Sequence, residues 1–283
     1  MNPDLKKLQP YPFEKLNALK AKALEKTGQP AVQGHIPLSI GEPKHESPKF
    51  VLDSIRDNLD LISLYPLTKG GLELRTAIAG WLTRRFKLSD DMVDPEQHVL
   101  PVTGTREALF SFAQCFIDRS DDAVIMMPNP FYQIYEGAAF LSGAEPYFYN
   151  TVKENDYLPD FDAIDESVWR RCQIIYVCTP GNPTGSVITK DQLCRLIALA
   201  KKYDFIIASD ECYSEIYFDR DNPPAGLLEA AEACGSSSLE NWIVFHSLTI
   251  RSNQPGMRSG FVAGNADLIK SYLLYRTYHG CAM

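Results

Sequence analysis

The chain has 283 residues, with 28 Lys+Arg and 36 Asp+Glu, so its formal net charge is −8 at pH 7. A hydrophobic fraction of 45% and a charged fraction of 23% exclude a largely disordered chain. The pI near 5.2 disfavours a nucleic-acid binder, no apolar run is long enough to cross a bilayer, and no apolar signal region follows the polar start, so we expect a cytoplasmic protein.

The predicted elements begin with an amphipathic helix over residues 13–26, followed by a loop rich in Gly and Pro over residues 28–48. From about residue 98, apolar strands alternate with helices near 105–117, 131–141, 189–202 and 266–275. The strands are predicted at His98–Val102, Ala123–Met127, Gln173–Val177, Phe205–Ser209, Trp242–Phe245 and Gly260–Gly264. This alternation predicts an α/β fold with parallel crossovers and a mostly parallel sheet covered on both faces.

Ligands of such sheets bind at the carboxyl ends of the strands, so the residues that follow each strand are the candidates for a site. Thr103–Glu107 follow the first strand, and their small residues and helix N–H groups suit a phosphate, although many α/β proteins have such a turn without a ligand. Tyr132 follows the second strand and either stacks on a flat ring or packs in the core.

The next three strand ends carry more specific chemistry. Two prolines and two glycines fix the turn around Asn182, whose amide is either a directed hydrogen-bond partner or part of a simple turn. Asp210 ends an apolar strand, where a buried carboxylate needs a partner. That partner is either the protonated ring nitrogen of a ligand or the N-terminus of the following helix, which the carboxylate would cap. In the first case the Tyr213 hydroxyl can face the same ligand ring. Ser247 and Arg258 suit a phosphate dianion.

Two other residue types carry no predicted chemistry. We interpret His246 as a satisfied core histidine. The seven cysteines are scattered without a CxxC pair, so we expect buried, reduced thiols, no disulfide framework and no metal site.

Together the strand ends require a planar, phosphorylated aromatic ligand with a basic ring nitrogen and a hydroxyl group, and pyridoxal 5′-phosphate meets each requirement. From about residue 10 to its end the chain resembles fold-type I, class I/II pyridoxal-phosphate aminotransferases, in the motifs Leu38–Pro43, Tyr65–Arg75, Gly181–Gly185, Asp210–Tyr213 and Ser247…Arg258. Within this family, Asn2–Leu16 and Leu273–Gly280 resemble bacterial N-succinyldiaminopimelate aminotransferases of lysine biosynthesis.

The resemblance implies a three-layer αβα large domain over residues 46–283 after an N-terminal segment over residues 1–45. It also implies roles for individual residues. Asp210 would pair with the ring nitrogen, Asn182 and Tyr213 would bind the phenolic oxygen, and Tyr132 would stack on the ring. The phosphate would be held by Gly104, Thr105, Arg106, Ser247 and Arg258, with Tyr65 reaching the phosphate of the other subunit of a homodimer. Gly41 would line the substrate pocket.

The chain departs from the family at the lysine that forms a Schiff base with the cofactor. Family members have this lysine three residues after the serine and eight before the arginine, and here that position is Ile250. Because isoleucine can neither form the Schiff base nor transfer a proton, no catalytic residue is intact, and we expect the chain to hold the cofactor or its amine adduct without that link. We also expect the C-terminal small domain of the family to be largely absent.

The leading hypothesis is therefore an aminotransferase by family, impaired in this chain. It would transfer an amino group from glutamate to an N-succinyl amino-keto-diacid, giving 2-oxoglutarate, with no nucleic-acid or membrane partner. The alternative is a non-catalytic pyridoxal-phosphate-binding remnant or a dimerising fragment. An unrelated nucleotide-binding protein is disfavoured because neither GxGxxG nor GxxxxGK[ST] occurs.

Overall fold

The computed structural model describes residues 1–27, 40–41, 43–236 and 239–280. The chain divides into two compact units, residues 1–44 and 45–283. In the first unit a 3₁₀ turn, Pro3–Lys7, precedes helix α1, Pro12–Thr27, which matches the predicted helix. Most of the predicted Gly- and Pro-rich loop lies outside the described residues. The assignment of residues 1–45 and 46–283 as separate domains stays a prediction.

The second unit contains a seven-stranded sheet within its described residues. Its strands, in chain order, are β1 Val99–Val102, β2 Val124–Asn129, β3 Glu145–Asn150, β4 Cys172–Cys178, β5 Ile206–Asp210, β6 Trp242–Ser247 and β7 Gly260–Gly264. The order across the sheet is β1-β7-β6-β5-β4-β2-β3. The six predicted strands are present, and β3 is an additional edge strand that the sequence did not reveal.

Strand β7 runs against the others. It pairs antiparallel with both β1 and β6, whereas the pairs β6–β5, β5–β4, β4–β2 and β2–β3 are parallel. The connection from β6 to β7 holds only a four-residue helix and a three-residue 3₁₀ turn, too little helix for the usual crossover to a parallel strand. The chain therefore reverses direction at the carboxyl end of β6, and β7 runs back beside that strand.

Helices cover both faces of the sheet in the described part of the chain. They are α2 Lys49–Asp57, α3 Leu72–Phe86, α4 Thr105–Phe116, α5 Gln133–Ser142, α6 Glu166–Arg171, α7 Lys190–Tyr203, α8 Leu227–Ala233, α9 Leu248–Arg251 and α10 Ala266–Arg276. One buried cluster joins a face of the sheet to α3, α6, α7 and α8, and a second joins the opposite face to α4, α5 and α10. The predicted three-layer αβα fold is confirmed.

Alternating side chains of the strands feed these two clusters. In β6, Trp242 and Val244 belong to the first cluster, and Ile243 and Phe245 belong to the second. Burial on both faces explains why the strands are continuous apolar runs in the sequence. Among the described residues, no helix has the length and apolar character needed to cross a membrane.

Candidate active site

The carboxyl ends of the parallel strands meet at one edge of the sheet. Cys178 at the end of β4 lies in register with Asp210 at the end of β5, which in turn is in register with Phe245 of β6. Because β7 is antiparallel, its first residue, Gly260, pairs with Ser247 at the end of β6. Arg258, just before β7, therefore comes to the same edge as the strand-end residues.

Asp210 is the buried acid of this edge, with 5% of its surface exposed. Its Oδ2 accepts a 2.6 Å hydrogen bond from the Tyr135 hydroxyl, and its Oδ1 accepts one of 3.3 Å from the Cys212 backbone N–H. Burial raises the pKa of Asp210 despite these hydrogen bonds, which favour the charged form. A cation placed here would stabilise the carboxylate, as expected for a partner of a protonated ring nitrogen.

Tyr135 is a residue of the site that the sequence analysis missed. It lies in the first turn of α5, fully buried, and its ring stacks on Tyr176 with centroids 4.6 Å apart and planes 12° apart. The predicted ring-stacking residue, Tyr132, meets Tyr135 edge-on at 5.7 Å. The spacing of three residues between the two tyrosines, which places both on one side of a helical turn, was the available signal.

Gly104 and Arg258 form the other end of the site. Gly104 has φ +105°, and a Cβ on it would lie 2.3 Å from Arg258 Nη2, so the glycine is required by both backbone conformation and space. Arg258 Nη2 lies 2.8 Å from Glu107 Oε2. The sequence analysis missed Glu107, which lies within the first turn of α4 and pairs with the arginine predicted to bind phosphate.

Cys212 connects the acidic end to the phosphate end. Its thiol lies 3.1 Å from the Thr105 hydroxyl and also contacts the Ser247 hydroxyl and Asp210. Burial and the neighbouring Asp210 raise the pKa of Cys212 well above its ordinary value, so the thiol stays protonated. Ser247 caps the short helix α9 by accepting a 3.3 Å hydrogen bond from the Thr249 backbone N–H.

Arg106 and Tyr213 complete the side chains that face this edge. Arg106 Nε donates a 2.9 Å hydrogen bond to the Tyr132 hydroxyl. The pKa of Tyr213 is raised by burial and then by the nearby Asp210, which places its half-buried hydroxyl in the field of the acid. The four side chains thus form one group, in which Arg106 interacts with Tyr132 and Tyr213 interacts with Asp210.

Asn182 joins this group through Cys178. Its turn is closed by backbone hydrogen bonds from Gly181 to Ser186 and from Gly185 to Gly181, each 2.8 Å long. The Asn182 backbone contacts the Cys178 thiol, which in turn contacts Tyr135. Asn182 is therefore linked to Asp210 through Cys178 and Tyr135, and Arg258 lies at the same edge of the sheet beside Gly104.

Three other predicted residues have the following places in the structure. Tyr65 is fully exposed, Gly41 lies in the first unit, and Ile250 is a half-buried residue of α9. His246 is buried against Phe261, as expected of a core histidine, and its Nε2 lies 3.2 Å from Oε2 of the buried Glu211. The expectation that it is satisfied fails at its other ring nitrogen. Its Nδ1 has no hydrogen-bond partner among the described residues, because aromatic rings surround it.

The comparisons with known proteins decide the family. The family model for aminotransferase class I and II matches residues 33–276. The chain belongs to the class I and II aminotransferase family. The LL-diaminopimelate aminotransferase of Nitratidesulfovibrio vulgaris is 34% identical over 266 residues, and that of Aquifex aeolicus is 34% identical over 269 residues. These alignments cover 93% and 94% of this chain but 64% and 65% of the relatives, so the chain spans slightly less than two thirds of their length.

Solved structures of aminotransferases have the same fold. A crystal structure of an aminotransferase from Neisseria meningitidis is 49% identical, with a TM-score of 0.91, covering 100% of this chain and 70% of that one. Aminotransferase AspB from Helicobacter pylori is 36% identical, with a TM-score of 0.88, covering 98% and 70%. The resemblance to fold-type I aminotransferases is thereby confirmed.

Class I and II aminotransferases use pyridoxal 5′-phosphate, so the site can be tested against that cofactor. Two observations agree with it. First, Gly104 has no Cβ, so Arg258 lies close enough to the N-terminus of α4 for both to bind one phosphate. Second, Asp210 is a buried acid that a cationic ring nitrogen would stabilise. The chain's own residues therefore fit the non-covalent part of the family's cofactor site, while Ile250 supplies no amine for a covalent bond.

Proposed function

We propose that this chain binds pyridoxal 5′-phosphate without a covalent bond, as an aminotransferase by family whose turnover is impaired. The observation that carries the proposal is the buried Asp210, held by Tyr135 at a sheet edge that also presents Gly104, Ser247 and Arg258. An acid and a guanidinium at one edge suit the two ends of this cofactor.

Each contact has a proposed role. Asp210 would hold the protonated ring nitrogen, with Asn182 and Tyr213 at the phenolic oxygen and Tyr132 against the ring face. The phosphate would be bound by Gly104, Thr105, Arg106, Ser247 and Arg258. Arg106 would hold Tyr132 through the hydrogen bond that it already makes. When bound, the cofactor would supply an electron sink for carbanion chemistry.

Ile250 is the reason to expect impairment. An alkyl side chain neither bonds covalently to the cofactor nor moves a proton, and the loss of general acid–base catalysis typically costs about 10²–10⁴-fold in rate. In the described residues, Lys190, Lys201, Lys202 and Lys270 lie on α7 and α10 rather than in α9, and the neighbouring Arg251 stays protonated.

The proposed substrates are amino acids and keto acids of lysine biosynthesis. Two curated relatives are LL-diaminopimelate aminotransferases, which supports a diaminopimelate-type substrate. The finer proposal is amino transfer from glutamate to an N-succinyl amino-keto-diacid, with 2-oxoglutarate as product and Gly41 in the substrate pocket. We place this reaction in the cytoplasm.

The alternative, a non-catalytic cofactor binder or dimerising fragment, is favoured by Ile250 and by one surface. The segment around Tyr65 exposes large apolar side chains, among them Phe50, Ile62, Leu64 and Leu67. Burial of such a surface in a homodimer would be favourable, and it would place Tyr65 of one subunit near the other.

The test is a titration of the purified chain with pyridoxal 5′-phosphate, in which the absorbance of the ligand and the fluorescence of the protein report binding. We expect saturable binding that borohydride does not make permanent, and much weaker binding by Asp210→Ala. The control is Asp121→Ala, which removes an exposed carboxylate next to the amino end of β2, at the opposite edge of the sheet. Equal binding by both variants, or a borohydride-stable adduct on a lysine of this chain, would contradict the proposal.

A further inference from the structure

Two cysteines outside the candidate active site come together between neighbouring helices. Cys194 lies on α7 and is half-buried, whereas Cys234 directly follows α8 and is exposed. The Cys194 thiol donates to the Ala230 carbonyl at 3.3 Å, and the same carbonyl accepts from the Cys234 backbone N–H at 3.0 Å. Because both residues contact the Ala230 carbonyl, Cys194 and Cys234 lie side by side where α7 packs on α8.

The helices that carry these thiols are held together by further contacts. The bond from Cys194 of α7 to the Ala230 carbonyl of α8 is one such contact. Near the start of α7, Lys190 Nζ forms a 2.8 Å ion pair with Glu229 Oε1 of α8. The packing of α7 on α8 thus sets the positions of Cys194 and Cys234.

This location separates the thiols from the candidate active site. Helices α7 and α8 pack in the first buried cluster, whereas Tyr135 of the site belongs to the second, on the opposite face of the sheet. The expectation that the cysteines are buried holds for Cys172 and Cys178 and is wrong for Cys234, which the end of α8 leaves at the surface; the other described cysteines are half-buried. An accessible thiol next to a second, more protected cysteine is a common arrangement at redox-sensitive sites.

We propose that Cys194 and Cys234 are a redox modification site that closes to an intrachain disulfide when a peroxide oxidises the protein. In the first step the Cys234 sulfur attacks the peroxide, the O–O bond breaks, and hydrogen peroxide yields a sulfenic acid and one water. In the second step the Cys194 sulfur attacks the Cys234 sulfur. The S–O bond breaks, the thiol proton leaves with the oxygen as a second water, and the S–S bond forms.

The environments of the two thiols assign this order. Cys234 is open to a small oxidant at the surface, whereas burial, together with contact with Cys234, raises the pKa of Cys194 to about 12. A thiol with so high a pKa is a poor first nucleophile. The Cys194 thiol reacts in the second step because it already lies beside the oxidised Cys234 sulfur. Cys172 and Cys178 are fully buried strand residues and are the least accessible thiols of the described chain.

The cross-link would join α7 to α8 and close the segment between residues 194 and 234. That segment contains β5 and Glu211, whose Oε1 accepts a 2.8 Å hydrogen bond from the first N–H of α8, at Leu227. Because a disulfide restricts the unfolded chain, the oxidised protein should melt at a higher temperature than the reduced one.

The test uses hydrogen peroxide on the whole chain, followed by alkylation, trypsin digestion and mass spectrometry without reductant. We expect one linked species that joins peptide 191–195 to peptide 221–251 and disappears after dithiothreitol. The denatured protein, which has seven cysteines, should lose two free thiols per chain, leaving seven minus two, or five. A monomer-sized band on a non-reducing gel would show that the link is within one chain.

Two variants make the result decisive. In Cys194→Ser the disulfide cannot close, so dimedone should label Cys234 after peroxide, whereas the unmodified chain should take up little dimedone there. Cys115→Ser, a half-buried thiol on α4, should still give the linked peptide. Equal dimedone labelling of Cys234 with and without Cys194, or a link only between two chains, would overturn the proposal. Neither outcome bears on cofactor binding.

Discussion

The Tyr135 hydroxyl and Asp210 Oδ2 are joined by a 2.6 Å hydrogen bond in the buried part of the sheet edge. Tyr135 is itself fixed, because its ring stacks on Tyr176. Oδ1 accepts a longer, 3.3 Å hydrogen bond from the Cys212 backbone N–H, and the Cys212 thiol also contacts the carboxylate. Tyr135 therefore orients the acid through a rigid aromatic pair.

Replacing Tyr135 with Phe should weaken pyridoxal 5′-phosphate binding about fivefold, because one hydrogen bond to the acid is worth about 1 kcal/mol. The measurement is a fluorescence titration of the purified variant. Tyr176→Phe is the matched control, since the Tyr176 hydroxyl donates to the Leu109 carbonyl instead of the acid. This control should unfold more easily yet bind normally, and an equal affinity loss in both variants would contradict an orienting role for Tyr135.

Asp210→Asn should act on stability and on binding in opposite directions. Burial raises the folded-state pKa of Asp210, so its contribution to stability is fully present below the unfolded pKa, near 3.8, and is lost as pH rises through the folded pKa. Without cofactor, the neutral amide should therefore unfold at higher denaturant than the unmodified chain at pH 7, and the difference should shrink on acidification. Pyridoxal 5′-phosphate should bind this variant more weakly.

Urea unfolding at several pH values, with and without cofactor, checks this prediction. The control is Asp121→Asn, which changes an exposed carboxylate for which no such pH dependence is expected. A stability difference between Asp210→Asn and the unmodified chain that grows on acidification would show that the buried carboxylate is not the cause.

Glu107→Gln should strengthen phosphate binding. In the described structure Glu107 Oε2 pairs with Arg258 Nη2 at 2.8 Å, and both side chains are nearly half exposed. An exposed pair of this kind is worth about 0.2–1 kcal/mol, so its loss should improve affinity for inorganic phosphate at most about fivefold. Calorimetric titration measures the change, and Arg258→Ala should abolish the binding. Weaker binding by Glu107→Gln would instead mean that Glu107 holds Arg258 in its binding position.

Gly104→Ala should damage the phosphate end of the site. The new Cβ would lie 2.3 Å from Arg258 Nη2, in a backbone conformation with φ +105° that alanine rarely adopts. We expect a loss of about 1–3 kcal/mol of stability from the strained backbone, together with weaker phosphate binding. Gly71→Ala is the control, because φ is −61° there and nothing lies within 4 Å of the added carbon. Thermal melts compare the two variants.

Ile250→Lys should give the chain a covalent bond to pyridoxal 5′-phosphate, because it supplies an amine at the position that the family uses. Borohydride should then fix the cofactor permanently on residue 250, which peptide mapping detects. Ile250→Met, of similar volume without an amine, should bind the cofactor only reversibly. Absence of an adduct from a lysine variant that still binds the cofactor would mean that α9 holds residue 250 away from the carbonyl carbon.

Much of the fold could be predicted because periodicity is local. The apolar runs of β4, β5 and β6 and the spacing in α4, α7 and α10 lie in short stretches of sequence, and the structure places these elements within a few residues of the predictions. Strand β3 was missed because its side chains are only partly buried at the sheet edge, so its apolar pattern is weak. The direction of β7 depends on the connection and is not visible in the strand itself.

The candidate site could be predicted where one residue follows one strand. Asp210, Asn182 and Ser247 each come shortly after an apolar run, and the motif around them names the chemistry. Tyr135 and Glu107 were missed because each is an ordinary helix residue until the fold brings a partner to it. Sequence distances of 75 and 151 residues separate them from Asp210 and Arg258.

The sequence by itself determined the family motif, the αβα layering and the replacement of the lysine position by Ile250, since these depend on residue identity and short spacing. Only the tertiary structure decided that Tyr135 holds Asp210, that Glu107 pairs with Arg258, and that Cys194 lies beside Cys234. Those contacts arise where separate helices pack on the sheet, and the distance between two side chains is set by that packing and cannot be read from either segment alone.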